Sequence, residues 1–149
     1  MARRAAAGET QDGEPVFSPW VRWSQRKTLT GCDRPGVYVL AHFDRKPSAV
    51  ADILCRNVIY VGETCGQGGL KKRWAQFRRA AGAGGRRGHS GGVTYHRRFG
   101  PPGDTLYVAA WAPSLEDETL LPYWIRYMER RLIWHYVMKW DKPPIGNRK

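Results

Sequence analysis

"PGVYVLAHFDRKPSAVADILCRNVIYVGET", residues 35–64, is the stretch on which the fold turns. Val37, Val39, Ala41 and Phe43 alternate with Tyr38, Leu40 and His42, the period-two pattern of a strand with two different faces. After a hydrophilic crossover, "NVIYVGE" (57–63) alternates as well and puts Val58, Tyr60 and Gly62 on one face. Gly62 takes a side chain away next to Tyr60, so a backbone or a ligand can approach there. Two neighbouring strands therefore carry one phenol each.

Working outward, "LKKRWAQFRRAA" (70–81) predicts a helix whose apolar stripe is Leu70, Trp74, Phe77 and Ala81, with Arg73 beside that stripe. Residues 82–104 are rich in Gly, Pro and Arg and read as a flexible basic loop. "TLYVAAWA" (105–112) predicts a third strand, and Ser114 is the expected N-cap of a helix start at "SLEDE". Pro122 then suits the first turn of a helix running over 123–140, where Ile125, Glu129, Leu132, Ile133 and Tyr136 share a side. A carboxylate in such a stripe needs a partner. Before the first strand, the spacing of Phe17, Trp20 and Trp23 suggests one turn of helix anchored on the core. The expected fold is α/β in content (α+β): a small three-stranded mixed or antiparallel sheet flanked by helices. Residues 1–14 read as a mobile tail and 15–149 as one domain.

The chain has 25 Lys and Arg against 13 Asp and Glu, a net charge of +12, which points to a polyanionic partner. The cations are spread along the whole chain, which favours nucleic acid over a membrane surface. Lys71, Lys72, Arg78, Arg86, Arg87, Arg97 and Arg98 are the candidates for its phosphates. Three cysteines without a C-x-x-C pair argue against a zinc knuckle or a disulfide framework and for a reducing cytoplasm. No uncharged run approaches the roughly 20 residues of a membrane span. "GETCGQGGLKKR" does not fit the G-x-x-x-x-G-K-[ST] loop of nucleotidases, and the four histidines form no H-x-x-x-H pair. His42 and His135 are read as structural.

Taken in order, the "GVY" of residues 36–38, the "YVG" of 60–62 continued as "ET", Arg73, Glu129 in "MERRLI" and Asn147 in "PPIGN" resemble the GIY-YIG nuclease family. The resemblance spans most of the chain. It implies that Tyr38 is the general base, Tyr60 assists by hydrogen bonding, Arg73 forks onto the scissile phosphate, and Glu129 binds one divalent ion, Mg2+ or Mn2+. Gly36, Gly62 and Asn147 would support the site. Two features depart from the pattern: a long crossover, attributed to an insertion around 46–56, and Phe77 where a histidine often follows the arginine by one helical turn. His89 is the candidate substitute and His96 the second choice.

The residue types suit phosphodiester hydrolysis in their own right. A phenol of ordinary pKa about 10 can take a proton from water only if cations such as Arg73 or a metal ion lower that value. DNA is the expected substrate and RNA the possible one, with a protein partner possible for specificity. The alternative is a basic nucleic-acid-binding module that keeps the scaffold without turnover.

Overall fold

The computed structural model describes residues 13–82 and 88–148. Its centre is an antiparallel sheet of four strands in the order β1-β4-β2-β3: β1 (Val21–Arg22), β2 (Gly36–His42), β3 (Val58–Thr64) and β4 (Leu106–Trp111). The expected three strands are present and all pairings are antiparallel; the fourth, β1, is a two-residue strand on the outer edge of β4. The segment around Trp20 and Trp23 is thus not a helical turn but β1 followed by a 3₁₀ segment, Trp23–Thr28. The extended backbone at β1 lets Trp20 enter the core on one face of the sheet and Trp23 the core on the other.

Strand β2 lies between β4 and β3, and its first six residues are buried, as a central strand covered on both faces requires. Its alternation is the one expected: Val37, Val39 and Ala41 join one core, and Tyr38 and Leu40 the other. Helix α3 (Leu121–Trp140) covers the first face with Ile125, Met128, Leu132 and Tyr136. It follows a 3₁₀ turn, Glu118–Leu120, whose cap is Asp117 and not Ser114. Asp117 Oδ1 accepts from the Thr119 N–H at 3.0 Å, and Pro122 falls in the first turn, where its missing N–H costs nothing. Among the described residues no helix is long and apolar enough to cross a membrane.

Helix α1 (Gly69–Ala81) covers the second face with Leu70, Trp74 and Phe77. Its first N–H groups are satisfied by the loop before β2, Leu70 N–H donating to the Arg34 carbonyl (3.0 Å) and Lys71 N–H to that of Cys32 (2.7 Å). These bonds tie the helix carrying Arg73 to the strand carrying Tyr38.

The basic segment after α1 is not all loop, since Ser90–Phe99 forms a second helix, α2, packed on α1. The glycines that argued for a loop are its contact positions. A Cβ on Gly91 would come within 2.5 Å of the Tyr60 ring, and one on Gly92 within 2.7 Å of the Ala80 Cβ and 2.8 Å of the Phe77 carbonyl oxygen. Arg86 and Arg87 lie outside the described residues, as does the expected tail except Gly13 and Glu14. Glu14 pairs with Arg131 on α3.

Candidate active site

Register sets the site. Strand β3 slips by one residue against β2 between Leu40 and Ala41, so that Tyr60 faces Leu40 while Val58 faces Ala41 and Ile59 is the extra residue. Val58 therefore packs in the α3 core while Ile59 and Tyr60 pack toward α1, contrary to the expectation that Val58 and Tyr60 share a face. Pairing opposite Leu40 already puts Tyr60 on the Tyr38 face, with their ring centroids 5.9 Å apart, and the bulge moves Val58 off it. Gly62 stands opposite Tyr38 in the ladder. A Cβ there would lie 2.5 Å from the Tyr60 ring and 2.7 Å from the Tyr38 hydroxyl, so the space Gly62 leaves is taken by the two phenols themselves.

His89, expected in a mobile loop, is the N-cap of α2 and is buried at 2 % exposure. Its Nδ1 accepts from the Gly92 N–H (3.2 Å), and its Nε2 lies 2.8 Å from the Tyr38 hydroxyl. Because Nδ1 is used as an acceptor, the neutral ring carries its proton on Nε2 and donates it to Tyr38. Burial, then the Arg73 charge, lowers the His89 pKa to about 3, so the ring is neutral near pH 7. The ring packs edge-to-face on Phe77 at 5.3 Å, so α2 supplies an imidazole where α1 has phenylalanine. His96, the second choice, is engaged elsewhere, its Nδ1 lying 3.1 Å from the Ala81 carbonyl. His42 pairs with the Tyr95 hydroxyl at 2.9 Å, a structural contact.

Arg73 is half-buried in α1. It donates to Gln76 Oε1 at 3.0 Å, and its buried Nε has no hydrogen-bond partner among the described residues. Tyr38 is fully enclosed, and its pKa is raised well above the phenol range, by burial first and then by Tyr60, with Arg73 pulling the other way. Tyr60 is partly exposed; burial raises its pKa, Arg73 lowers it, and Glu129 raises it. A guanidinium with a spare buried donor beside two phenols is arranged to accept an anionic group.

Glu129 sits at the edge of the α3 stripe, whose centre Met128 occupies instead. Burial and the neighbouring Glu63 both raise its pKa. It has no hydrogen bond or ion pair among the described residues, so a structural pairing with Arg73 or Arg126 does not account for it. Glu63 is the site residue that sequence reasoning missed, although it stands in "YVGET": the odd position after Gly62 turns it toward α3. Two neighbouring carboxylates, with Arg130 only partly offsetting their repulsion, are a hard-oxygen donor set, which fits magnesium or manganese with most positions left to water. Among the described residues no group of three or more His, Cys, Asp and Glu adds to them. Glu63 also accepts from the Cys65 thiol at 3.3 Å, and burial with that bond pushes the Cys65 pKa up to about 11.

Asn147 clamps the exposed edge of β3. Its Oδ1 accepts from the Val61 N–H and its Nδ2 donates to the Val61 carbonyl, both at 2.8 Å. Gly36, at the start of β2, faces Thr64 on one side and lies against the Trp111 backbone on the other. Of the cations expected on phosphates, Lys71, Lys72, Arg78, Arg97 and Arg98 are all exposed on α1 and α2. Compared with protein-family models, curated proteins and solved structures, the chain finds no match.

Proposed function

We propose that the protein is a metal-dependent endonuclease that hydrolyses phosphodiester bonds in DNA, working in the manner of the GIY-YIG nucleases its motifs resemble. One observation carries the reading: Tyr38, hydrogen-bonded to His89 Nε2 at 2.8 Å, shares its surroundings with Tyr60 and the under-bonded Arg73, while Glu129 lies within electrostatic reach of Tyr60. Five elements scattered over the sequence meet around the bulged edge strand.

In this reading Tyr38 is the base. The His89 N–H and Arg73 both face its oxygen and favour the phenolate against the burial that opposes it. Tyr60, the phenol that reaches the surface, orients the attacking water toward it. Arg73 takes the phosphate through its spare N–H, a forked geometry that lysine does not reproduce. Glu129, with Glu63 beside it, would hold the divalent ion. When bound, that ion supplies Lewis-acid stabilisation of the phosphate and the leaving oxygen. Asn147 keeps the Val61 backbone, and with it Tyr60 and Gly62, in register.

Supercoiled plasmid incubated with Mg2+ is expected to yield nicked and linear products that vanish with chelator, and RNA offered alongside should be cut more slowly. Binding without products under every divalent ion would instead favour the non-catalytic module, the reading that Phe77 in the histidine's usual place supports.

A further inference from the structure

Away from the phenols, Trp23, Arg26, Arg78 and Arg79 line a cleft of about 630 Å³ together with Pro101 and Pro102. Arg26 is fixed in it: its guanidinium lies 4.3 Å from the centre of the Trp23 ring, and one η nitrogen donates to the Trp23 carbonyl at 2.9 Å. This half-buried cation is close enough to Arg78 for the repulsion to lower its pKa, after the larger effect of burial. Among the described residues no carboxylate lines the cleft, and none of the three guanidiniums has an ion pair.

Cations in the last turn of a helix are favoured by its dipole, which accounts for Arg78 and Arg79 by themselves. It does not account for Arg26, which comes from the 3₁₀ segment and is held beside them. Like charges gathered in a concave wall repel, and an anion between them removes that cost. The cleft is far larger than one phosphate ion, and guanidiniums suit phosphate oxygens. Arg78 and Arg79 stand on the same helix as Arg73, roughly 8 Å further along its axis at 1.5 Å per residue, a span that a strand with one charge per 3.4 Å covers in a few nucleotides.

We propose that this cleft is a second phosphate-binding site, gripping the sugar–phosphate backbone of DNA away from the bond to be cut. It deepens the nuclease reading and rests on it only for the identity of the polymer.

The test is a salt series of fluorescence-anisotropy titrations with a labelled DNA duplex, in EDTA so that no cleavage intervenes. Wild type is compared with Arg26→Gln/Arg78→Gln/Arg79→Gln and with a control of equal charge loss outside the cleft, Arg45→Gln/Lys46→Gln/Lys142→Gln. The triple cleft variant should lose about 2 to 3 from the slope of log affinity against log salt, at about 0.9 per phosphate contact, and at least about tenfold in affinity, while the control stays near wild type. Arg78→Gln/Arg79→Gln, which leaves the Arg26 contacts with Trp23 in place, should show an intermediate slope and keeps the test valid if the triple variant melts early. Equal losses in cleft and control variants, an unchanged slope in the cleft variants, absence of wild-type binding, or full displacement of DNA by millimolar inorganic phosphate at constant ionic strength would each overturn the proposal. Because metal is absent, failure of the nuclease reading would show separately, as retained binding without cleavage when magnesium is added.

Discussion

On the face of the sheet that α3 covers, Val37, Val39 and Ala41 from β2 meet Ile125, Met128 and Leu132, and the packing is mostly hydrocarbon. On the opposite face the same strand presents Tyr38, with Tyr60 from β3 beside it, His89 from the start of α2 hydrogen-bonded to it and Tyr95 of α2 in the same core. The first face gains chiefly from burial, with the Tyr136 hydroxyl donating to the Val58 carbonyl. The second buries hydroxyls and an imidazole that must be hydrogen-bonded to be tolerated. One alternating strand thus separates a mostly hydrocarbon face, with Glu63 and Glu129 at its edge, from a polar, hydrogen-bonded one.

The contrast can be broken first from the hydrocarbon side. Ile125→Ala removes a fully buried side chain from the α3 core and should cost about 2–5 kcal/mol in a denaturant titration, with cleavage by the folded fraction retained. On the polar side, His89 gives an acid-sensitive contribution. Its folded pKa of about 3 lies below the ordinary histidine value of about 6.5, so between these pH values the unfolded chain binds a proton that the folded chain refuses. Stability should therefore fall as pH drops from 6.5 toward 3, by up to about 4 kcal/mol from this residue alone. His42, whose pKa burial also lowers, adds to the slope, whereas Glu129, with its raised pKa, opposes it. His89→Asn keeps a side chain able to cap α2 and should give a shallower slope than wild type in urea titrations between pH 7 and pH 4.

A smaller effect is expected where the phenols crowd the sheet. Gly62→Ala should destabilise by about 1–3 kcal/mol through overpacking and should displace Tyr60 and Tyr38, so activity falls by more than the stability loss explains. Asn147→Ala removes both bonds to Val61 and should cost about 1–2 kcal/mol, with faster amide exchange along β3 than along β2.

Much of this division was legible from residues 35–64, because alternation is a local property and β2 keeps it from end to end. The order of Tyr38, Tyr60, Gly62, Arg73 and Glu129 on strand, strand, helix and helix was legible for the same reason. What was hidden depends on contacts between distant segments. The bulge at Ile59 arises in pairing with β2 and leaves no mark in "NVIYVGE". Helix α2 is short and glycine-rich; its stability comes from close approach to Tyr60 and Phe77, so propensity argued against it. Tyr95 and Phe99, four apart, were the signal that could have revealed it. Glu63 was overlooked because its role depends on where α3 lies.

Glu129 tests the separation of stability from chemistry most directly, because it is a half-buried carboxylate that the fold itself does not use. Measured side by side, Glu129→Gln should melt at or slightly above the wild-type temperature, since repulsion from Glu63 is removed, while its magnesium-dependent nicking of plasmid falls by at least about 100-fold. Nicking at the wild-type rate by a folded Glu129→Gln protein would contradict the account.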